Sequence, residues 1–213
     1  MKFRIKDPVS CISHLIGVIL AIAGLLLLLS RNDATENPMH VASFSIFGFS
    51  MILLYSSSAA YHGFNVSLHM QQRLRRIDHI MIFVLIAGTY TPICLIPLYG
   101  IWGWSILSTI WTLALLGSIF KIFFLSAPRK LYTAIYLLMG WMIVIALYPL
   151  LKSISIEAFL WLLGGGVFYS TGALIYAIKK PNPWPNVFGF HEIFHVFIML
   201  GTACHFWMIY NFL

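Results

Sequence analysis

The chain has 213 residues, of which 61% are hydrophobic and 9% are charged. An ordinary soluble domain carries roughly 25% charged residues, so this composition excludes a water-soluble globular protein. Thirteen Lys and Arg against six Asp and Glu give a net charge of +7. Most of these basic residues lie in short segments between long apolar runs, where they would meet anionic lipid headgroups. We therefore expect no nucleic-acid partner.

Seven apolar stretches are long enough to cross a bilayer, because a helix needs about 20 residues to span the roughly 30 Å hydrocarbon core. The first stretch is longer than the apolar core of a signal peptide, which has about 7 to 15 residues. It is therefore interpreted as a helix that is not cleaved off. The lengths are even, so no broken helix is singled out. We predict an all-α integral membrane protein in which residues 1–213 form a single seven-helix domain. The predicted spans are 11–29, 40–62, 78–98, 104–124, 132–151, 156–178 and 187–212, with short connections such as 32–38 and 181–186.

The basic residues are divided unevenly between the two sides of this bundle. Eleven lie on the side of the N-terminus and two on the other side. Because Lys and Arg concentrate in cytoplasmic segments, we predict a cytoplasmic N-terminus and an outer C-terminus in a bacterial inner or plasma membrane. The larger group comprises Lys2, Arg4, Lys6, Arg73, Arg75, Arg76, Lys121, Arg129, Lys130, Lys179 and Lys180, and the smaller group Arg31 and Lys152.

Three histidines of the predicted spans lie at one level, near the cytoplasmic face. His191 and His195 are four residues apart, which puts their rings on one helix face with Cβ atoms about 5 to 6 Å apart. His62 ends the second span on the same predicted side. Neutral imidazoles favour zinc over magnesium or calcium, and three of them leave a fourth tetrahedral position for water. The pattern therefore predicts one zinc ion.

Two further residues lie at the same level. Asp78 begins the third span and is predicted to bind the metal, or to hold its water and accept a proton. Ser58 lies one turn before His62, where its hydroxyl could orient a ligand or bond to a reacting carbonyl. Each residue alone also has a plainer interpretation. His62 is then an interfacial histidine, Asp78 a helix cap or the partner of Arg75 or Arg76, and Ser58 a packing residue.

The segment from His191 to His195 also reads HExxH, the zinc protease signature in which the glutamate is the general base. Intramembrane metalloproteases need an additional Asp-bearing motif on a later helix, and this segment lies on the last one. The metzincin extension of this motif requires a glycine and then a third histidine. Ile198 and Gly201 occupy those two positions here, so the extension is not present. We therefore predict that Glu192 is an accessory residue only.

The other histidines fit the proposed centre less well. His79 is set aside because it points about 100° away from Asp78 on its helix. His205 lies about 15 Å along the axis from His195 and cannot share the same ion. His14, on the correct side of the first span, is kept as a candidate for contact with the ligands.

Four motifs carry a resemblance to a known family. They are Ser58-x-x-x-His62, Asp78-His-Ile-Met-Ile-Phe, Ala87-Gly-Thr-Tyr-Thr-Pro92 and His191-x-x-x-His195. Together they resemble the hemolysin III branch of the progestin and adipoQ receptor (PAQR) family, over nearly the whole chain. The resemblance implies a seven-helix fold, zinc held by His62, His191 and His195, and Asp78 reaching the metal through water. The wider superfamily includes adiponectin receptors and alkaline ceramidases, which implies hydrolysis of a lipid amide.

The leading hypothesis is therefore a zinc-dependent lipid amide hydrolase. Asp78 would act as the base, Ser58 and the metal would stabilise the oxyanion, and an apolar chamber would hold the acyl chain. Expected partners are membrane lipids, with a lipid amide or fatty acid as ligand and no obligate protein partner. The alternative is a non-catalytic sensor or membrane-homeostasis factor with structural zinc. A pore-forming hemolysin is disfavoured because no polar helix face or amphipathic inserting segment is found.

Overall fold

The computed structural model describes residues 5–31, 36–185 and 187–213. Within these residues, seven helices are long and apolar enough to cross a membrane, which confirms the predicted all-α fold. Lys2, Arg4 and parts of the connections 32–38 and 181–186 lie outside the described residues. The helices are α1 (Pro8–Leu29), α2 (Pro38–Gly63), α3 (Leu68–Leu95), α4 (Ile101–Phe123), α5 (Arg129–Ser153), α6 (Ile156–Ile178) and α7 (Phe190–Phe212).

Local sequence signals begin several of these helices. Asn37 caps α2, since its side chain accepts a hydrogen bond from the amide of Met39 at 2.9 Å. Pro38 follows in the first turn, where its missing N–H needs no partner. Ser155 caps α6 in the same way, accepting from the amide of Ala158 at 3.2 Å. Short polar residues thus bond amides that the first turn of a helix leaves unpaired.

Helix α3 begins ten residues before the predicted span, at Leu68 instead of residue 78. Residues 68–77 are mainly Gln, Arg, Met and Leu, which favour a helix although they are too polar to score as a membrane span. Ser67 caps this extension through a 3.5 Å bond from the amide of Met70. Asp78 consequently lies about three turns inside α3 and does not cap it.

Helix α5 is interrupted at its centre, although the sequence singled out no broken helix. An α-helix at Arg129–Gly140 passes into a 3₁₀ segment at Trp141–Ala146 and then into a second α-helix at Leu147–Ser153. Pro149 explains the break, because it has no N–H to donate to the carbonyl of Ile145 and its ring crowds that carbonyl.

The hydroxyl of Tyr90, on α3, supports this interruption. It donates to the carbonyl of Gly140 at 2.7 Å and accepts from the amide of Ile143 at 2.9 Å. Unpaired backbone groups are costly in the hydrocarbon region, where no bulk water replaces a lost hydrogen bond. A side chain from the neighbouring helix therefore supplies partners that the broken helix lacks.

Six helices form a ring, and α4 lies outside it. Helix α1 packs against α2 and α7, α3 packs against α2, α4 and α5, and α6 packs against α5 and α7. Helix α4 lies against α3 and the centre of α5. Outward side chains are apolar and strongly exposed, for example Ile19 at 67%, Leu26 at 63% and Leu138 at 71%. Such a surface suits lipid chains, since soluble proteins rarely expose large apolar areas.

One end of the bundle, here called the basic end, is where α1, α3, α5 and α7 begin and α2, α4 and α6 end. Lys6, Lys121, Arg129 and Lys179 lie at this end. That it faces the cytoplasm remains a prediction from the basic residues.

Candidate metal centre

Three imidazoles meet at the basic end of the bundle. His62 lies in the last turn of α2, and His191 and His195 lie in the first two turns of α7. One ligand nitrogen from each ring lies within 4.8 Å of the other two. The Nε2 atoms of His62 and His191 are 3.1 Å apart. Two nitrogens on one tetrahedral zinc are about 3.3 Å apart, so this separation suits a shared ion.

The ligand set is shielded from solvent. His62 is 3% exposed and His195 is 2% exposed, whereas His191 is half-buried. An interfacial histidine would keep its polar tip in water, so the burial of His62 disagrees with that interpretation. Buried imidazoles need polar partners, and the first helix provides them.

Asp7 is the partner of His62. Its Oδ2 atom lies 2.9 Å from Nδ1 of His62. A carboxylate can only accept, so Nδ1 carries the hydrogen and Nε2 keeps its lone pair, directed at His191. This is the arrangement in which a carboxylate orients a metal-binding histidine. Asp7 stands before the first turn of α1 but does not cap it, because its carboxylate is bonded to His62 and to Lys6 at 3.2 Å.

The charge of Asp7 is stabilised by these contacts. Burial raises the pKa of its carboxyl group, but the hydrogen bond from His62 and the ammonium of Lys6 outweigh burial and lower it. Asp7 therefore remains ionised at neutral pH and can act as the acceptor.

The outer nitrogen of His195 also meets α1. Its Nδ1 atom lies 3.5 Å from the hydroxyl of Ser13, and that hydroxyl donates to the carbonyl of Ser10 at 3.0 Å. The Ser13 oxygen can therefore accept from Nδ1 of His195, which leaves Nε2 available to a metal. The ring of His14 stacks on that of His195, with centroids 3.7 Å apart and planes 8° apart.

Asp7 and Ser13 were not predicted as site residues. The prediction started from ionisable residues inside the predicted spans, whereas Asp7 precedes the first span and Ser13 is not ionisable. Asp7 is one of only six acidic residues, which was the available signal. His14 was retained as a candidate, and the structure brings it against His195.

Glu192 has both carboxylate oxygens engaged. Oε1 accepts from the hydroxyl of Ser10 at 2.7 Å, and Oε2 accepts from the amide of Gly189 at 2.8 Å. The second bond caps α7, and the first ties α7 to α1. These contacts suit a structural accessory and leave Glu192 poorly placed to be the general base of a protease.

A cavity adjoins His191 and His195 and is lined by residues from all seven helices. His191 and His195 form part of its wall, as do Asp78 and Ser58. The cavity continues to His205. His205 lies fourteen residues beyond His191 on α7, which corresponds to about 21 Å along the helix axis. That length exceeds half of the roughly 30 Å hydrocarbon core, so an acyl chain could lie along it.

Asp78 lines the same cavity as His191 and His195 but does not belong to the histidine cluster. The group of mutually close ligand atoms found in the described residues contains the three histidines alone. Ser58 lines the same cavity as Asp78. Among the described residues, neither Arg75 nor Arg76 forms an ion pair with Asp78 within 4.0 Å. His79 is likewise absent from that group of ligand atoms, and it lines the cavity together with Asp78.

The chain is similar to known proteins over nearly its whole length. The sequence model of the haemolysin-III related family matches residues 3–206. Hemolysin-3 of Bacillus cereus is 37% identical over 211 residues, which cover 98% of this chain and 92% of the relative. The hemolysin-3 homolog of Bacillus subtilis (strain 168) is 40% identical over 210 residues, covering 97% and 94%. The adiponectin receptor protein of Drosophila melanogaster is 26% identical over 222 residues, covering 96% of this chain and 50% of the receptor.

Three conclusions follow from the fold and these similarities. Seven membrane-spanning helices and bacterial relatives matched over nearly their full length make this a multi-pass cell membrane protein. Similarity to an adiponectin receptor supports the link to the PAQR superfamily. The chain belongs to the haemolysin-III related family.

Proposed function

We propose that this protein is a zinc-dependent hydrolase that cleaves the amide bond of a membrane lipid. The observation that carries the proposal is the group of three imidazole nitrogens within 4.8 Å of one another, beside a cavity that Asp78 and Ser58 also line. Three protein ligands are typical of catalytic zinc sites, whereas structural sites are closed by four.

The donor set fits zinc. The Nδ1 atoms of His62 and His195 face oxygen acceptors at 2.9 Å and 3.5 Å, which leaves their Nε2 lone pairs for the ion. Imidazole nitrogen is a poor ligand for magnesium or calcium and a good one for zinc. Zinc bound by three histidines supplies Lewis acidity and lowers the pKa of a coordinated water to about 7.

Two residues of the cavity wall are assigned roles in this proposal. Asp78 accepts a proton from the attacking water, and Ser58 donates a hydrogen bond to the carbonyl oxygen as negative charge develops there. The water oxygen forms a bond to the acyl carbon and the carbon–nitrogen bond breaks. Asp78 returns its proton to the leaving nitrogen, so the products are a fatty acid and an amine.

Metal analysis tests the centre itself. Purified protein should contain about one zinc per chain, and His191→Ala should lose it because two imidazoles remain. His69→Ala is the matched control, since His69 is exposed and is not one of the three clustered ligands. Equal metal content in His191→Ala and the native protein would reject the assignment of ligands.

Lipid mass spectrometry tests the chemistry. Zinc-loaded protein should release fatty acid from a panel of N-acyl lipids, whereas Asp78→Asn should keep its zinc and lose turnover by at least about a hundredfold. Absence of release from the whole panel by zinc-loaded protein would reject the hydrolase.

A structural role for the metal is the second candidate, favoured by one observation. The bonds of Asp7 and Ser13 to two of the histidines connect α1 to α2 and α7 around the same point. A non-catalytic sensor predicts that zinc removal lowers the melting temperature markedly while zinc-loaded protein turns over no lipid. An exchangeable water in the fourth metal position would favour the enzyme instead.

A further inference from the structure

The wall of the cavity beside the histidines carries an excess of positive charge. Of the described residues that line it, three are Lys or Arg and one is acidic. With neutral histidines, three positive charges less one negative charge give a net charge of about +2. The basic residues are Arg75, Lys121 and Arg129, and the acidic residue is Asp78.

Lys121 is the most informative of the three, because it is 1% exposed. Its ammonium lies 3.4 Å from the centre of the Tyr132 ring. Among the described residues, no carboxylate lies within 4.0 Å of it. A cation–π contact offsets only part of the cost of burying an ammonium, so a further anion would stabilise it.

The two arginines extend this charge towards the basic end. The Arg129 guanidinium lies 4.4 Å from the Tyr176 ring and donates one bond of 3.2 Å to the Tyr176 carbonyl. A guanidinium has five donors, so one such bond leaves capacity for an anionic ligand. Arg75 both lines the cavity and is exposed, which puts it at the cavity mouth.

Orientation in the bilayer does not explain Lys121. Lysines that fix orientation extend their ammonium groups to water and to lipid headgroups at the interface. Lys121 is enclosed by protein and faces the cavity that holds Asp78 and His191. Its charge is therefore available to a molecule inside the cavity.

We propose that the substrate is an N-acyl lipid whose head group carries a negative charge, bound by Lys121 together with Arg75 and Arg129. The inference rests on the proposed function and specifies its substrate class. The amide would lie at the histidine cluster and the acyl chain would extend towards His205. A neutral N-acyl lipid would leave the buried ammonium without an anion in direct contact and bind less tightly.

Two lipids with the same acyl chain test the proposal. N-palmitoylglycine is anionic and N-palmitoylethanolamine is neutral, so zinc-loaded protein should cleave the first with a kcat/KM at least about tenfold higher. N-palmitoylphosphoethanolamine, an anionic phosphate, should also exceed the neutral lipid. The more efficient of the two anionic lipids identifies the head group as carboxylate or phosphate.

Lys121→Met should remove most of this preference while keeping the volume of the side chain. Lys152→Met is the matched control, because Lys152 also lies over a tyrosine ring, at 4.5 Å, but is exposed at the opposite end. Should Lys121→Met fail to fold, Arg75→Gln replaces an exposed cation and should reduce the preference in part. An unchanged preference for the anionic lipid in folded Lys121→Met would overturn the proposal. Where Lys121→Met does not fold, an unchanged preference in Arg75→Gln would overturn it.

A binding measurement separates this inference from the hydrolase. Competition against radiolabelled N-palmitoylglycine uses zinc-loaded Asp78→Asn protein, so it does not depend on turnover. Stronger competition by the anionic lipids than by the neutral one supports the inference even if hydrolysis is absent. Equal competition by N-palmitoylethanolamine overturns it. Free palmitate that competes better than every anionic amide also overturns it, since the cations would then bind a fatty acid.

Discussion

Oδ2 of Asp7 lies 2.9 Å from Nδ1 of His62, across the contact between α1 and α2. The amide of Asp7 also donates to the carbonyl of His62 at 2.9 Å, so backbone and side chain hold the two residues in register. The orientation of a candidate metal ligand on α2 thus depends on a residue just before α1. The ligands of the candidate metal site lie on α2 and α7, and Asp7 connects that site to the start of α1.

Asp7→Ala should weaken zinc binding by about 10- to 100-fold, because His62 loses the acceptor that fixes its tautomer and ring orientation. Competition with a chelating dye would measure the affinity. Glu157→Ala is the control, since Glu157 is an exposed acid on α6. Native affinity in Asp7→Ala would mean that the carboxylate does not orient the ligand.

Glu192→Gln should reduce thermal stability while retaining metal and most turnover. The carboxylate caps α7 and bonds to Ser10, and loss of its charge weakens both bonds by about 1 kcal/mol in total. A melting curve and an activity assay on one preparation would check this. Loss of turnover comparable to that of Asp78→Asn would instead support the protease-like role of the glutamate.

Tyr90→Phe should destabilise the fold by about 1 to 3 kcal/mol, because the carbonyl of Gly140 and the amide of Ile143 lose their partner inside the bundle. Thermal unfolding in detergent would measure the loss. Tyr148→Phe provides the comparison, since Tyr148 is 71% exposed. Similar melting temperatures for the two variants would mean that the hydroxyl is dispensable at the break in α5.

Adjacent glycines in α6 offer a test of helix packing. A Cβ at Gly165 would collide with the ring of His205 and lie 3.1 Å from the carbonyl of Gly201, whereas one at Gly164 meets nothing within 4 Å. Gly165→Ala should therefore cost about 1 to 3 kcal/mol through overpacking. Gly164→Ala should be neutral or slightly stabilising, as an alanine favours the helix. Equal melting temperatures would contradict the close contact of α6 with α7.

Much of the architecture could be predicted because a membrane imposes length and hydrophobicity on each span. His191 and His195 could be paired because four-residue spacing fixes their relative direction on any helix. His62 could be added to this pair because successive spans cross the bilayer in opposite directions. The end of the second span therefore lies on the same side as the start of the seventh. These inferences use only the spacing of residues within one helix and the order of the spans along the chain.

The missed features depend on contacts between distant segments. Asp7 and His62 are 55 residues apart, and no local pattern in the sequence specifies that their helices meet at that level. The early start of α3 was missed because hydropathy detects the apolar part of a helix and not its polar extension. The break in α5 had a signal in Pro149, but the bonds from Tyr90 that support the interrupted backbone come from a different helix and could not be predicted.

The facing nitrogens of His62 and His191 belong to residues 129 positions apart, on the second and the last helix. A ribosome releases helices in chain order, so the first imidazole enters the bilayer long before its companions are synthesised. The proposed ion could therefore be bound only late in the biogenesis of the protein, once α7 docks against α1. Nascent chains arrested before that helix would hold one histidine of the three and should not retain zinc.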